Sequence, residues 1–152
     1  MRRLSPVLIV VALALVAPGC GTDTKAANDY VDAVNKAQNG FAAKFDELSG
    51  RITSTSTAAE DRQTLDGFKK AIDKVVNDFR AVKAPDKVKA LHGKLIAEIS
   101  DYGNAIDKAK LAFSDEDPQA IVKAQADLVS AVTRVQAHIN ATIADINTKL
   151  RE

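Results

Sequence analysis

The sequence predicts an all-α protein: an antiparallel up-down-up-down four-helix bundle that follows a cleaved leader. Three observations lead there. Apolar residues recur at steps of three and four through four long segments, no segment alternates with the period of two that a half-buried strand requires, and the segments are joined by only a few residues each. The size is consistent with this, since 152 residues with 46% hydrophobic and 27% charged side chains make one ordinary globular domain. Disorder by composition and a second enzyme-sized domain are both excluded.

The leader comes first. Arg2 and Arg3 form a basic start, residues 7–16 are continuously apolar, and Pro18-Gly19 follow. A membrane-spanning helix needs about 20 apolar residues, so a run this short reads as a secretory signal that is removed. The only cysteine of the chain stands next, at Cys20. Ala17-Pro18-Gly19-Cys20, a small residue directly before a cysteine at the end of the apolar run, resembles the lipobox of bacterial lipoproteins, although Ala17 stands where Leu is commonest. The resemblance implies that residues 1–19 are cut away and that the thiol of Cys20 carries the lipid attachment. Residues 20–24 would then be a lipidated tether, and the protein would sit on the extracytoplasmic face of the cell membrane. The alternative is a secreted protein cut after Ala17 or Gly19, with a free thiol near its new terminus. Without Arg2 and Arg3 the balance falls to 19 basic against 20 acidic residues, so no overall basic excess recruits nucleic acid.

The four-helix bundle is expected over residues 25–152. Helix one is read over about 25–52, with Ala27, Val31, Val34, Phe41, Phe45, Leu48 and Ile52 on its seam and Gln38 as a polar intrusion that could specify register. Thr57-Ala58-Ala59-Glu60 has capping-box spacing and opens helix two, over about 57–83, whose stripe is Leu65, Phe68, Ile72, Val75, Phe79 and Val82. Pro85 ends it, because the residue before a proline is pushed out of the helical region. Helix three, over about 86–113, carries Val88, Leu91, Leu95, Ile99, Tyr102, Ile106, Ala109 and Phe113. Asp115-Glu116-Asp117-Pro118 is an acidic start with proline in the first turn. Helix four then runs over about 118–150 on Ile121, Ala124, Leu128, Val132, Val135, Ile139, Ile143, Ile146 and Leu150, a spacing nearer to an 11-residue repeat than to a heptad.

Such bundles host cofactors, and the residues for these can be checked. Carboxylate-bridged di-iron sites use Glu-x-x-His pairs, but Lys89 and Val135 stand three residues before His92 and His138. No cofactor and no metal is expected, and both histidines read as seam-flanking residues with one edge of the ring in water. The sequence holds no nucleophile elbow, phosphate loop or dinucleotide fingerprint, so no catalytic residue is assigned and a non-enzymatic role is expected. The acidic residues Asp115 to Asp117 lack the ligand pattern of a calcium loop.

One charge pattern exceeds what helix ends explain. Between Lys69 and Lys94 stand eight basic residues against three acids, Asp73, Asp78 and Asp86. Up-down topology places the Pro85 corner at the end nearest Cys20. Arg80, Lys83, Lys87 and Lys89 there form a candidate membrane-facing basic corner, attracted to anionic headgroups by about 1 kcal/mol per residue. The stretch Phe79-Arg80-Ala81-Val82-Lys83-Ala84-Pro85-Asp86-Lys87-Val88-Lys89-Ala90-Leu91-His92 is similar to the helix-Pro-helix corner of small helical lipoproteins of high-GC Gram-positive bacteria. That resemblance implies a cell-envelope bundle and supplies no chemistry. The expected function is a non-enzymatic, lipid-anchored envelope protein that presents its bundle to a protein partner, the cell wall or the membrane surface. The alternative is a carrier or sensor holding an apolar or amphipathic small ligand between the helices.

Overall fold

The computed structural model describes residues 22–49, 51, 56–112 and 118–152; the leader, Cys20 and the acidic run Asp115 to Asp117 lie outside the described residues. The elements are α1 (Thr22–Ser49), α2 (Ala58–Ala81), a 3₁₀ turn (Asp86–Val88), α3 (Lys89–Ala112) and α4 (Pro118–Arg151), with no strand among the described residues. The chain is an all-α four-helix bundle. Its boundaries fall within a few residues of those the periodicity predicts. One difference matters: α1 starts at Thr22, so residues 22–24, expected to be tether, belong to the helix.

Local chemistry explains the ends of α2. Thr57 is its N-cap: the hydroxyl oxygen accepts the Glu60 N–H at 3.3 Å, and the Glu60 carboxylate accepts the Thr57 N–H at 2.8 Å. These bonds hold the Glu60 carboxyl below its ordinary pKa. At the other end Val82 is extended and donates its N–H to the Phe79 carbonyl at 3.0 Å, and Pro85, with φ of −56°, turns the chain into the 3₁₀ turn that opens α3.

The pairings run antiparallel. Leu48 near the end of α1 lies against Gly67 near the start of α2. Between α2 and α3 Asp66 meets Lys110, Ile72 lies beside Gly103, and Phe79 meets His92. Between α3 and α4 Glu98 meets Thr142, and from the 3₁₀ turn before α3 Lys87 reaches Leu150. Gly67 gives the first of these contacts its room: a Cβ there would sit 2.9 Å from a Leu48 methyl, which would have to shift. Consecutive helices pack closely, whereas α1 and α4 approach each other far less.

The core is densest toward the Pro85 end. Tyr30, Val31, Val34, Phe79, Val88, Leu95, Ile143 and Ile146 are all sealed from solvent there. Burying each such side chain contributes about 1.5–3 kcal/mol. The stripe expected along all of α4 is buried only over its last turns: Ile121, Leu128 and Ile139 are half-covered, and Val122 and Val129 are 67% and 44% exposed. Among the described residues α4 packs closely on α3 and, at its C-terminal end, on the 3₁₀ turn, so its last turns are covered from a second side.

Candidate functional site

The end of the bundle around Pro85 gathers the residues that stand out chemically. Five pieces of chain meet there: the start of α1, the end of α2, the 3₁₀ turn, the start of α3 and the end of α4. Arg80, Lys83, Lys87 and Lys89 are all exposed on it, and none is in an ion pair among the described residues. Of the other members of the same basic run, Lys69, Lys74 and Lys94 pair with Asp73, Asp78 and Glu98, while Lys70 is exposed without an ion pair among the described residues. Arg80 occupies the last turn of α2, where the helix dipole favours a cation. Lys87 has a local role that its position in the sequence conceals: its ammonium donates to the Leu150 carbonyl at 3.2 Å and so caps the C-terminus of α4. Lys89 and Lys83 have no such explanation.

Beneath this surface lies a polar contact among three helices, and here the expectation of a wet, seam-flanking His92 is corrected. His92 is 6% exposed. Its Nε2 lies 2.9 Å from the Phe79 carbonyl, which only accepts, so Nε2 carries the hydrogen. Its Nδ1, 3.1 Å from the Tyr30 hydroxyl, is then the acceptor of that O–H. The Tyr30 ring stands edge-on to the imidazole at a centroid separation of 5.5 Å. Burial lowers the His92 pKa from its ordinary value, with the Phe79 carbonyl opposing, and burial pushes Tyr30 up to about 12. Periodicity missed this site because Leu91, its neighbour, looked like the seam residue; in the structure Leu91 is half-covered and His92 points inward. His138, by contrast, is exposed as expected.

A second buried polar contact joins α3 to α4. Glu98, 8% exposed, accepts the Thr142 hydroxyl on Oε1 at 3.1 Å, and its Oε2 is buried without a hydrogen-bond partner. Lys94 stands 3.8 Å away with its own side chain 55% exposed. At the opposite end Glu47 pairs with Lys44 and Arg51, Glu60 caps α2 and Asp66 pairs with Lys110, while Asp61 is 8% exposed with its Oδ1 buried without a hydrogen-bond partner. Among the described residues no three His, Cys, Asp or Glu side chains are grouped so as to hold a metal ion. No described helix is long and apolar enough to cross a membrane.

The fold and this end of the bundle define an all-helical protein with a basic, unpaired corner above a sealed His-Tyr contact. No protein-family model, curated protein or solved structure matches the chain.

Proposed function

We propose that the chain is a non-enzymatic, lipid-anchored cell-envelope protein that holds its helical bundle against the outer face of the membrane for interaction with an envelope or cell-wall partner. The observation that carries this reading is one of placement. The lipobox-like Cys20 precedes the start of α1 at Thr22 by two residues, and Arg80, Lys83 and Lys89 lie unpaired and exposed at that same end. A diacylglycerol on Cys20 would bring these three cations to headgroup level, where each contributes about 1 kcal/mol toward an anionic surface. The two acyl chains of a diacylglycerol hold firmly by themselves, so the role of the corner would be to set how the bundle lies against the surface rather than whether it stays there.

The test is the intact mass of protein taken from its native membrane fraction, with a Cys20→Ser variant beside it. Wild type is expected to carry the lipid mass and stay with the membrane through a salt wash, while the variant is released. A soluble wild type that begins after Ala17 or Gly19 without lipid would remove the reading. The corner is tested separately by an Arg80→Glu, Lys83→Glu, Lys89→Glu variant on anionic vesicles. It should bind more weakly by at least tenfold at low salt, with the difference shrinking as salt rises.

A second reading, a carrier for an apolar small ligand, is supported by one observation. The first turns of α4 expose Val122 and Val129 beside the half-covered Ile121 and Leu128. Saturable binding of an apolar fluorescent probe, lost on Leu128→Asp with helicity intact, would favour it.

A further inference from the structure

We propose that His92 is an acid-sensitive latch that holds α1 on the α2–α3 hairpin and lets it go when the imidazole takes up a proton. The geometry assigns the role. Neutral His92 satisfies both helices at once: Nε2–H donates to Phe79 at the end of α2, and Nδ1 accepts from Tyr30 of α1. A second proton would sit on Nδ1 and point at a hydroxyl that is itself donating. Tyr30 is 1% exposed, so the hydroxyl would have to turn and leave its own hydrogen without an acceptor in a sealed site. The bond to Phe79 survives protonation unchanged, whereas the one to Tyr30 is remade only by orphaning the phenol hydrogen, which makes α1 the helix whose hold is weakened.

The rest of the fold agrees that α1 is the detachable piece. The hairpin of α2 and α3 is cross-tied by Asp66–Lys110 and Lys69–Asp107, and α3 and α4 by Glu98–Thr142. The ion pairs Lys25–Asp29 and Lys44–Glu47 of α1 are internal to that helix. It packs on α2 and lies far less closely against α4.

No carboxylate faces the imidazole to stabilise its charged form. From α1 the facing titratable group is Tyr30, while the Lys25–Asp29 pair is exposed. From α2 the Phe79 carbonyl faces it, with Arg80 and the Lys74–Asp78 pair on the outside. On the 3₁₀ turn and α3, Asp86, Lys87, Lys89 and Lys94 are exposed, and the Glu98 carboxylate is bonded to Thr142. On α4 the nearby Lys149, Arg151 and Glu152 are exposed. The sign follows from the lowered His92 pKa. The stabilising contact is intact above the ordinary histidine pKa of about 6.5 and is lost as pH falls through the lower value of the folded state.

The experiment is native-state hydrogen exchange read by mass spectrometry on the purified protein at about pH 7.5 and about pH 5, corrected for the intrinsic rate, with His92 followed by NMR against the exposed His138. Protection of α1 is expected to fall at least tenfold more than that of α2 and α3, with the midpoint of the loss at the His92 titration. His92→Gln, whose amide can still donate to Phe79, should flatten the response, and Glu98→Gln should leave it in place. Unchanged α1 protection across that range would overturn the proposal, as would an equal loss in all four helices. So would a His92 midpoint more than one pH unit from that of α1 opening in the wild type, a readout that stands even if the Gln variant fails to fold.

Discussion

Replacing Thr142 with valine isolates the energetics of the buried carboxylate between α3 and α4. Valine keeps the shape of threonine, so no cavity forms at a site with 0% exposure, and only the hydroxyl is lost. Glu98 then has neither of its oxygens hydrogen-bonded, because Oε2 already lacks a partner, and Lys94 at 3.8 Å is too exposed to compensate. Stripping the bond from a buried charged acceptor costs about 2–3 kcal/mol. Glu98→Met should behave oppositely. It removes the buried charge, and the Thr142 hydroxyl can turn to the carbonyl one turn back in its own helix, as Thr64, Thr133 and Thr148 do. That variant is expected within about 1 kcal/mol of wild type or more stable. In the double variant the cost of valine should vanish, giving a coupling energy of about 1.5 kcal/mol or more. Urea unfolding followed by far-UV circular dichroism at neutral pH measures all four corners of the cycle. A Thr142→Val cost under about 0.5 kcal/mol, or an additive double variant, would refute the reasoning, since it would mean that the carboxylate finds water in place of the hydroxyl.

Other positions give sharper contrasts. At Gly40 and Gly93 nothing lies within 4 Å of where a Cβ would go, so alanine at either is expected to raise stability by about 0.5–1 kcal/mol, whereas Gly67→Ala meets Leu48 at 2.9 Å and should lose that gain or reverse it, all read from urea midpoints. The two halves of α4 should differ in the same assay. Ile146→Ala, at a sealed site, should cost about 2–5 kcal/mol, and Val122→Ala, at a 67% exposed one, should stay within about 0.5 kcal/mol of wild type.

These contrasts mark what was legible in the sequence. The four helices and the capping box at Thr57 and Glu60 are local patterns, each decided within a few residues, and each is found in place, whereas α2 ends at Ala81, short of the residue that Pro85 restricts. Burial is another matter, because periodicity shows which side of a helix is apolar and not whether a neighbour covers it. Ile121 and Ile146 are equivalent members of one stripe, yet only the second lies at the end of α4 that the 3₁₀ turn covers as well as α3. His92 and Glu98 were missed for a related reason. Their partners, Tyr30 and Thr142, stand 62 and 44 residues away in the chain, so nothing near either residue announces the contact. Lys87 was seen, but its acceptor is a backbone carbonyl 63 residues distant. Arg80, Lys83 and Lys89 stood out because they are close in sequence, and all three are exposed.

The bond from His92 to the Phe79 carbonyl also bears on how the chain finds its fold. It closes a loop of only 13 residues through Pro85, while every tie from α1 to α3 must wait for a closure several times longer. The hairpin of α2 and α3 is therefore the piece that can form first, with its corner already fastened, and α1 joins a surface that is largely built. Substitutions at Phe79 should slow folding, and those at Val31 or Val34 should chiefly hasten unfolding.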